Sequence, residues 1–473
     1  MTDHATASTF LKAEQIRAQA EHLYLLPFPS SCPRKFASLL SQACEKLKSV
    51  VIGLSKRPGT ADVDRQISFI SLFLVDRLAP TLRFIEGASS ENTPASLVGP
   101  LEKIGKMLLP GAEFLVRRQW RYNYRVQELR QGLGEELKGL LSRHDFKDLF
   151  PDEPQKLYSI SFPSFERDSA LLHVNFAHEI GHPMEERYLA ADPRNQEPLA
   201  ELRTEIEKED TGADVVKRAK DIGAATSYWR AAVEELISDT ISTWVFGPSA
   251  LFALSEVVTL SHSADEISKD LHPPWRFRLR NMLSVLEEQG FVDPASHELQ
   301  GWRDNAHSSL SGVKSSVDNW LKHMSRVVEQ NTDWDAIRRE GIAAKCAYES
   351  VSRVTGSVRT FAAQTVADTA YTRDLFSEEV PWLLERLFCD LPPNQIERSL
   401  WDVRQVKLAS ILSSGWLYKL AKLHPEFDAD AERYVERAFV LNRLILKALE
   451  LSVVAGEFME RDGESARGAA KQE

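Results

Sequence analysis

Hydrophobic positions recur at helical spacing along most of the chain. Phe36, Leu39, Leu40, Ala43 and Leu47 fall three and four residues apart, as do Ala438, Leu441, Ile445 and Leu449 near the other end. A period of 3.6 gathers each set onto one helix face, where it can be buried. Stretches rich in Gly, Pro, Ser, Asn and Asp interrupt the pattern at Glu86–Pro94, Phe150–Pro154 and Cys389–Gln395, where helices should stop. One strand stands out: Leu157–Phe162, "LYSISF", alternates in character and is closed by Pro163. The apolar stretch Thr240–Ser255 is broken by Gly247-Pro248 and too short for a bilayer, so it reads as a buried helix and a turn.

Composition changes this picture little. With 43% hydrophobic and 27% charged residues, 473 positions can fold into two or three domains. A net charge of −11 argues against a nucleic-acid partner, which needs a basic surface. The run "RRQWRYNYR", Arg117–Arg125, mixes cations with aromatics; on an acidic chain it reads as a helix face pairing with carboxylates or as a partner contact. Cys32, Cys44, Cys346 and Cys389 show no C-x-x-C spacing, and no signal peptide is apparent, so a cytoplasmic location is expected. The segment between "VNFAHEIGHPMEER" (Val174–Arg187) and Tyr228, residues 191–220, is charged and reads as a solvated helical excursion, while the tail after Phe458 should be disordered.

The chemistry lies in "VNFAHEIGHPMEER", Val174–Arg187. Positions i and i+4 of a helix are offset by about 40°, so His178 and His182 would present both imidazoles to one point. Glu179 follows the first histidine. This is the H-E-x-x-H arrangement, in which two histidines hold zinc and the glutamate serves as general base. Pro183 lacks an N–H and disfavours α-geometry at His182, so the helix should end or kink there. A catalytic zinc needs a third protein ligand and one open position. The segment "AAVEELISDTIS", Ala231–Ser242, supplies Glu235 as the third ligand and Asp239, four residues on, as the acceptor for the second nitrogen of a ligand histidine. His173, five residues before His178, points elsewhere and reads as a satisfied core histidine. Tyr228, seven residues before Glu235, shares its helix face and is either packing or a contact to the reacting groups.

His178-Glu179-x-x-His182 followed by Glu235-x-x-Ser238-Asp239 resembles the gluzincins, thermolysin-like metallopeptidases whose third zinc ligand is a glutamate. A later segment, "HPPWRFRL", His272–Leu279, resembles the His-Pro-x-x-x-x-Arg stretch of the CAAX-prenyl-protease-like members, without their membrane spans. The resemblance covers residues 157 to 280. It implies that His272, Arg278 or Tyr228 stabilises the oxyanion. Glu234 stands where thermolysin-like enzymes carry an asparagine.

The expected fold is mainly α, with a zincin-like core and a small sheet flanking the active-site helix. The expected organisation is an N-terminal helical region (1–150), a catalytic core (151–290), a C-terminal helical region (291–459) and a disordered tail (460–473). The expected function is zinc-dependent hydrolysis of peptide bonds in a protein or peptide substrate. The alternative is a helical interaction or regulatory protein that keeps a zinc-binding module, with a protein partner or a second copy of itself on its helical surfaces.

Overall fold

A computed structural model of the chain describes residues 4–469, apart from 58, 122, 151–155, 210–213, 260–271, 302–309, 330–336, 338–340, 400–401 and 428. The chain divides into two compact units, Met1–Arg167 and Asp168–Glu473. Both are mainly helical, as the periodicity predicts. Among the described residues no helix is long and apolar enough to cross a membrane.

The first unit opens with α1 (His4–Tyr24), α2 (Cys32–Ser55), α3 (Ala61–Phe73), α4 (Ala79–Gly87) and α5 (Ala95–Leu108). Helix α2 carries the first periodic set. Its Phe36, Leu40, Ala43 and Leu47 are buried in one core with Ala13, Ile16, Ala20 and Leu23 of α1. Each such Leu or Phe contributes roughly 1.5–3 kcal/mol through burial. Thr60 starts α3 by accepting the Val63 N–H on its hydroxyl. There follow β1 (Glu113–Gln119), β2 (Arg125–Glu128), α6 (Arg130–Leu140), α7 (Arg143–Leu149) and β3 (Leu157–Pro163). The strand expected at 157–162 is the centre of a three-stranded sheet, parallel to β1 and antiparallel to β2. All its residues are buried, so both faces are covered.

The arginine-rich run does not form a helix face. Arg117–Gln119 end β1, Arg125 begins β2, and the residues between connect them. The run contains no acidic residue to support a helix by i,i+4 pairing, and its aromatic content favours extended backbone. Among the described residues no carboxylate pairs with Arg117, Arg118, Arg121 or Arg125.

The boundary at Arg167/Asp168 falls after β3, so the sheet and the H-E-x-x-H helix, expected together in a core of 151–290, belong to different units. The second unit contains α8 (Asn175–Gly181), α9 (Glu185–Ala191), α10 (Glu197–Glu209), α11 (Val215–Phe246), α12 (Pro248–Thr259), α13 (Trp275–Glu288), α14 (Ser311–Glu329), α15 (Ile342–Thr365) and α16 (Arg373–Phe388). A hairpin, β4 (Gln395–Ser399) and β5 (Asp402–Gln405), precedes α17 (Leu408–Tyr418) and α18 (Ala431–Ala469). Gly247, at φ +57°, ends α11 where the sequence places its turn.

Helix α11 is the axis of this unit: Ala225, Trp229, Ala232, Val233 and then nearly every residue from Glu235 to Phe246 are buried. Helices α8 and α15 pack along it, so the region after 290 is built into the same body as the motif helix. The charged insert is also tied down. Arg353 of α15 reaches Glu201 and Glu205 of α10, and the Ser350 hydroxyl donates to the Pro198 carbonyl. At the far end α18 continues to Ala469, past the point where disorder was expected; Glu, Arg and Ala in "MERDGESARGA" are good helix formers.

Candidate metal centre

Helix α8 is short. It follows a 3₁₀ turn at Ala170–Val174 and gives way to a second 3₁₀ turn at His182–Met184. Pro183 is the cause: it cannot donate to Glu179, and the His182 N–H bonds the Glu179 carbonyl instead. His182 keeps helical angles (φ −52°, ψ −46°), so the chain tightens without leaving the helical path. His173 is buried with its ring 5.3 Å from that of Phe176.

Gly181 sets how closely α8 meets α11. A Cβ at this position would lie 2.6 Å from the Ser238 Cα, so only glycine permits the crossing. Ser238 stands between Glu235 and Asp239, and the close crossing brings both carboxylates under the histidines.

Each histidine has its Nδ1 beside one carboxylate, without a hydrogen bond closed there, and its Nε2 turned towards another. His178 Nδ1 lies 2.9 Å from Asp239 Oδ1, and its Nε2 lies 3.4 Å from Glu235 Oε2. His182 Nδ1 lies 3.1 Å from Glu234 Oε1, and its Nε2 lies 3.9 Å from Glu235 Oε1 and 3.9 Å from Glu179 Oε2. The two rings are nearly perpendicular with centroids 4.8 Å apart. Tetrahedral zinc with bonds near 2.0–2.1 Å separates its ligand atoms by about 3.3 Å, so the His178–Glu235 spacing already suits an ion and the His182–Glu235 spacing is slightly long. Two overlapping groups bring three donors within 4.8 Å of one another: His178, Glu179 and His182, and His178, Glu235 and Asp239. The expected set His178, His182 and Glu235 is divided between the two groups, with only His178 common to both.

Arg278, on α13, lies beneath this arrangement. It stacks over Trp275 at 4.6 Å, its Nε and Nη2 each lie 2.7 Å from an oxygen of Asp239, and its Nη1 lies 2.8 Å from Glu235 Oε2. Its side chain is 2% exposed. Every guanidinium nitrogen therefore faces a carboxylate of α11. His272, just before α13, is more open than either motif histidine: its side chain is 36% exposed and its Nε2 lies 3.4 Å from Glu235 Oε1. Helix α13 begins at Trp275 behind Pro274, as the sequence indicates.

Electrostatics favours a cation between these groups. Burial opposes charge on His178, but Glu235 and Asp239 outweigh it and raise its pKa to about 10. Burial likewise opposes charge on His182, and Glu234 and Glu235 turn the shift upward. Glu235 and Asp239 are held low against burial, chiefly by Arg278 and then by His178. Two buried carboxylates thus face one arginine, and without a metal the remaining negative charge retains a proton on imidazole. Burial lowers His272, so it stays neutral near pH 7.

Tyr228 is half-buried and stacks at a tilt against Tyr348 of α15, with centroids 6.0 Å apart. Sequence reasoning missed Tyr348, whose hydroxyl lies 3.5 Å from the His272 carbonyl. It lies more than a hundred residues beyond the ligand helix, inside an ordinary amphipathic pattern, and carries no local signal. Glu234, which stands where the resemblance would place an asparagine, lies beside the outer nitrogen of His182. No family model, no curated protein and no solved structure matches the chain.

Proposed function

We propose that the chain is a zinc-dependent peptidase acting on a protein or peptide substrate. The observation that carries this reading is the convergence of His178 Nε2 and His182 Nε2 on the Glu235 carboxylate, with the Glu179 carboxylate beside them. Two imidazole nitrogens and one carboxylate oxygen are a donor set suited to zinc, and Asp239 and Glu234 lie beside their outer nitrogens. Zinc bound there would supply a Lewis acid for the scissile carbonyl and a water acidified towards pKa 7.

The chain's own residues do the rest. Glu179 Oε2 takes the proton of the attacking water and carries it to the leaving amine. A purely structural site would have no use for this carboxylate. His272, neutral and partly open, donates from Nε2 to the carbonyl oxygen as it becomes negative. Arg278 positions Glu235 and Asp239 and has no free edge to offer substrate. Tyr228 and Tyr348 form the aromatic wall beside His272.

The test is cleavage of an unfolded protein by the purified chain before chelation, after chelation, and after zinc is returned. Cleavage should vanish and come back. Cleavage indifferent to the chelator would sink the proposal.

A further inference from the structure

The arginine-rich run has no part in the metal centre, yet the sheet of the first unit arranges it with care. Arg117 of β1 and Arg125 of β2 both pair in register with Ser161 of the central strand. Residues opposite one another across neighbouring strands point to the same face, so the two arginines flank Ser161 on one side of the sheet. The Arg117 Nε donates to the Ser159 hydroxyl at 3.1 Å, and its guanidinium lies 3.6 Å over the Phe84 ring of α4. The Ser161 hydroxyl donates to the Arg125 carbonyl at 3.2 Å, which fixes the start of β2.

This leaves two cations on one sheet face, near enough for Arg125 to act on Arg117, with no anion between them among the described residues. Among the described residues no carboxylate faces either guanidinium. Arg117 is half-buried, whereas Arg125 is exposed. Buried charges are ordinarily paired, and this one instead has a second positive charge beside it. Burial, and after it Arg125, bring the Arg117 pKa down to about 10. The outer nitrogens of Arg117 and the whole fork of Arg125 remain as donors, a geometry suited to oxyanions.

We propose that Arg117 and Arg125 form a binding site for a phosphate-type dianion on this sheet face. The charge selects the class: two cations match a phosphate, which carries about −1.5 to −2 at pH 7, whereas a carboxylate would neutralise only one. The site is independent of the metal centre, because all its residues lie in the first unit.

The test is calorimetric titration of the full chain with inorganic phosphate, with acetate as the monoanion control. Phosphate should bind once per chain and raise the melting temperature, and acetate should do neither. Arg125→Gln, at an exposed position that folding does not depend on, should weaken phosphate binding by about 10–100-fold, and Arg117→Gln should do the same. His178→Ala/His182→Ala should bind phosphate as tightly as the wild type. Undiminished binding in Arg125→Gln, loss of binding in the double-histidine variant, or equal binding of acetate would overturn the proposal.

Discussion

His182 Nδ1 lies 3.1 Å from Glu234 Oε1. The ligand helix therefore offers a carboxylate to each histidine from outside: Glu234 to His182 and Asp239 to His178, with Glu235 between them facing inward. Closed into hydrogen bonds, such contacts would fix the tautomer and strengthen the inner nitrogen as a ligand. Glu235→Ala should abolish metal binding, whereas Glu234→Ala and Asp239→Ala should weaken it by roughly 10–100-fold. Metal affinity measured against a competing chelator checks this. Release from Glu234→Ala with retention in Glu235→Ala would mean the two glutamates exchange roles.

Arg278 faces both Glu235 and Asp239, and His178 is the other cation beside them. Truncating it would leave His178 as the one counter-charge described for two buried carboxylates, so Arg278→Ala should destabilise the fold by about 3–5 kcal/mol, as for one partner removed from a buried ion pair. Denaturant unfolding measures the loss, and Asp239→Asn in the Arg278→Ala background should recover part of it. Full stability with reduced turnover would return Arg278 to the role of oxyanion donor.

A methyl group at Gly181 would meet the Ser238 backbone at 2.6 Å. Neither neighbour can yield as a flexible side chain would. Gly181→Ala should cost about 1–3 kcal/mol, as overpacking does, and should weaken metal binding by prising α8 from α11. Wild-type thermal stability and metal affinity in Gly181→Ala would show that the crossing is looser than described.

The metal-free site should depend on pH in a definite sense. His178 is raised from 6.5 to about 10 in the folded state, so its proton is bound more tightly there than in the unfolded chain. This contribution to stability is fully present below about pH 6.5 and is lost as pH rises through about 10. Metal-free protein should accordingly lose stability between these values. Zinc binding at pH 7 should release the proton, which titrations in buffers of different ionisation enthalpy would detect. Binding without proton release would place the ion away from His178.

His272→Ala should lower turnover by about 10²–10³ with metal content unchanged, because a donor to the developing oxyanion acts mainly in the transition state. Loss of metal in that variant would make His272 a ligand instead, a role its 3.4 Å approach to Glu235 leaves room for.

The site was legible wherever spacing within one helix carries the information. His178 and His182, and Glu235 and Asp239, each share a face by i,i+4 geometry alone, and the structure brings the two faces together. The Pro183 interruption also followed from local chemistry, although the chain answers it with a 3₁₀ turn that keeps His182 in line. What depends on contacts between distant segments was hidden. Nothing near Arg278 signals that all its nitrogens are engaged by α11, and nothing near Tyr348 ties it to His272. The strands β1 and β2 were missed for a related reason. They flank a buried strand, and the polar ends at Arg117 and Arg125 break the apolar alternation that identifies β3.

The most direct test of the central claim is the rate at which zinc-loaded Glu179→Gln cleaves an unfolded protein, beside wild type of equal metal content. The substitution removes the proton acceptor and leaves His178, His182 and Glu235 in place. The account predicts full zinc, an intact fold and a rate lower by several orders of magnitude. A rate near that of the wild type would contradict it.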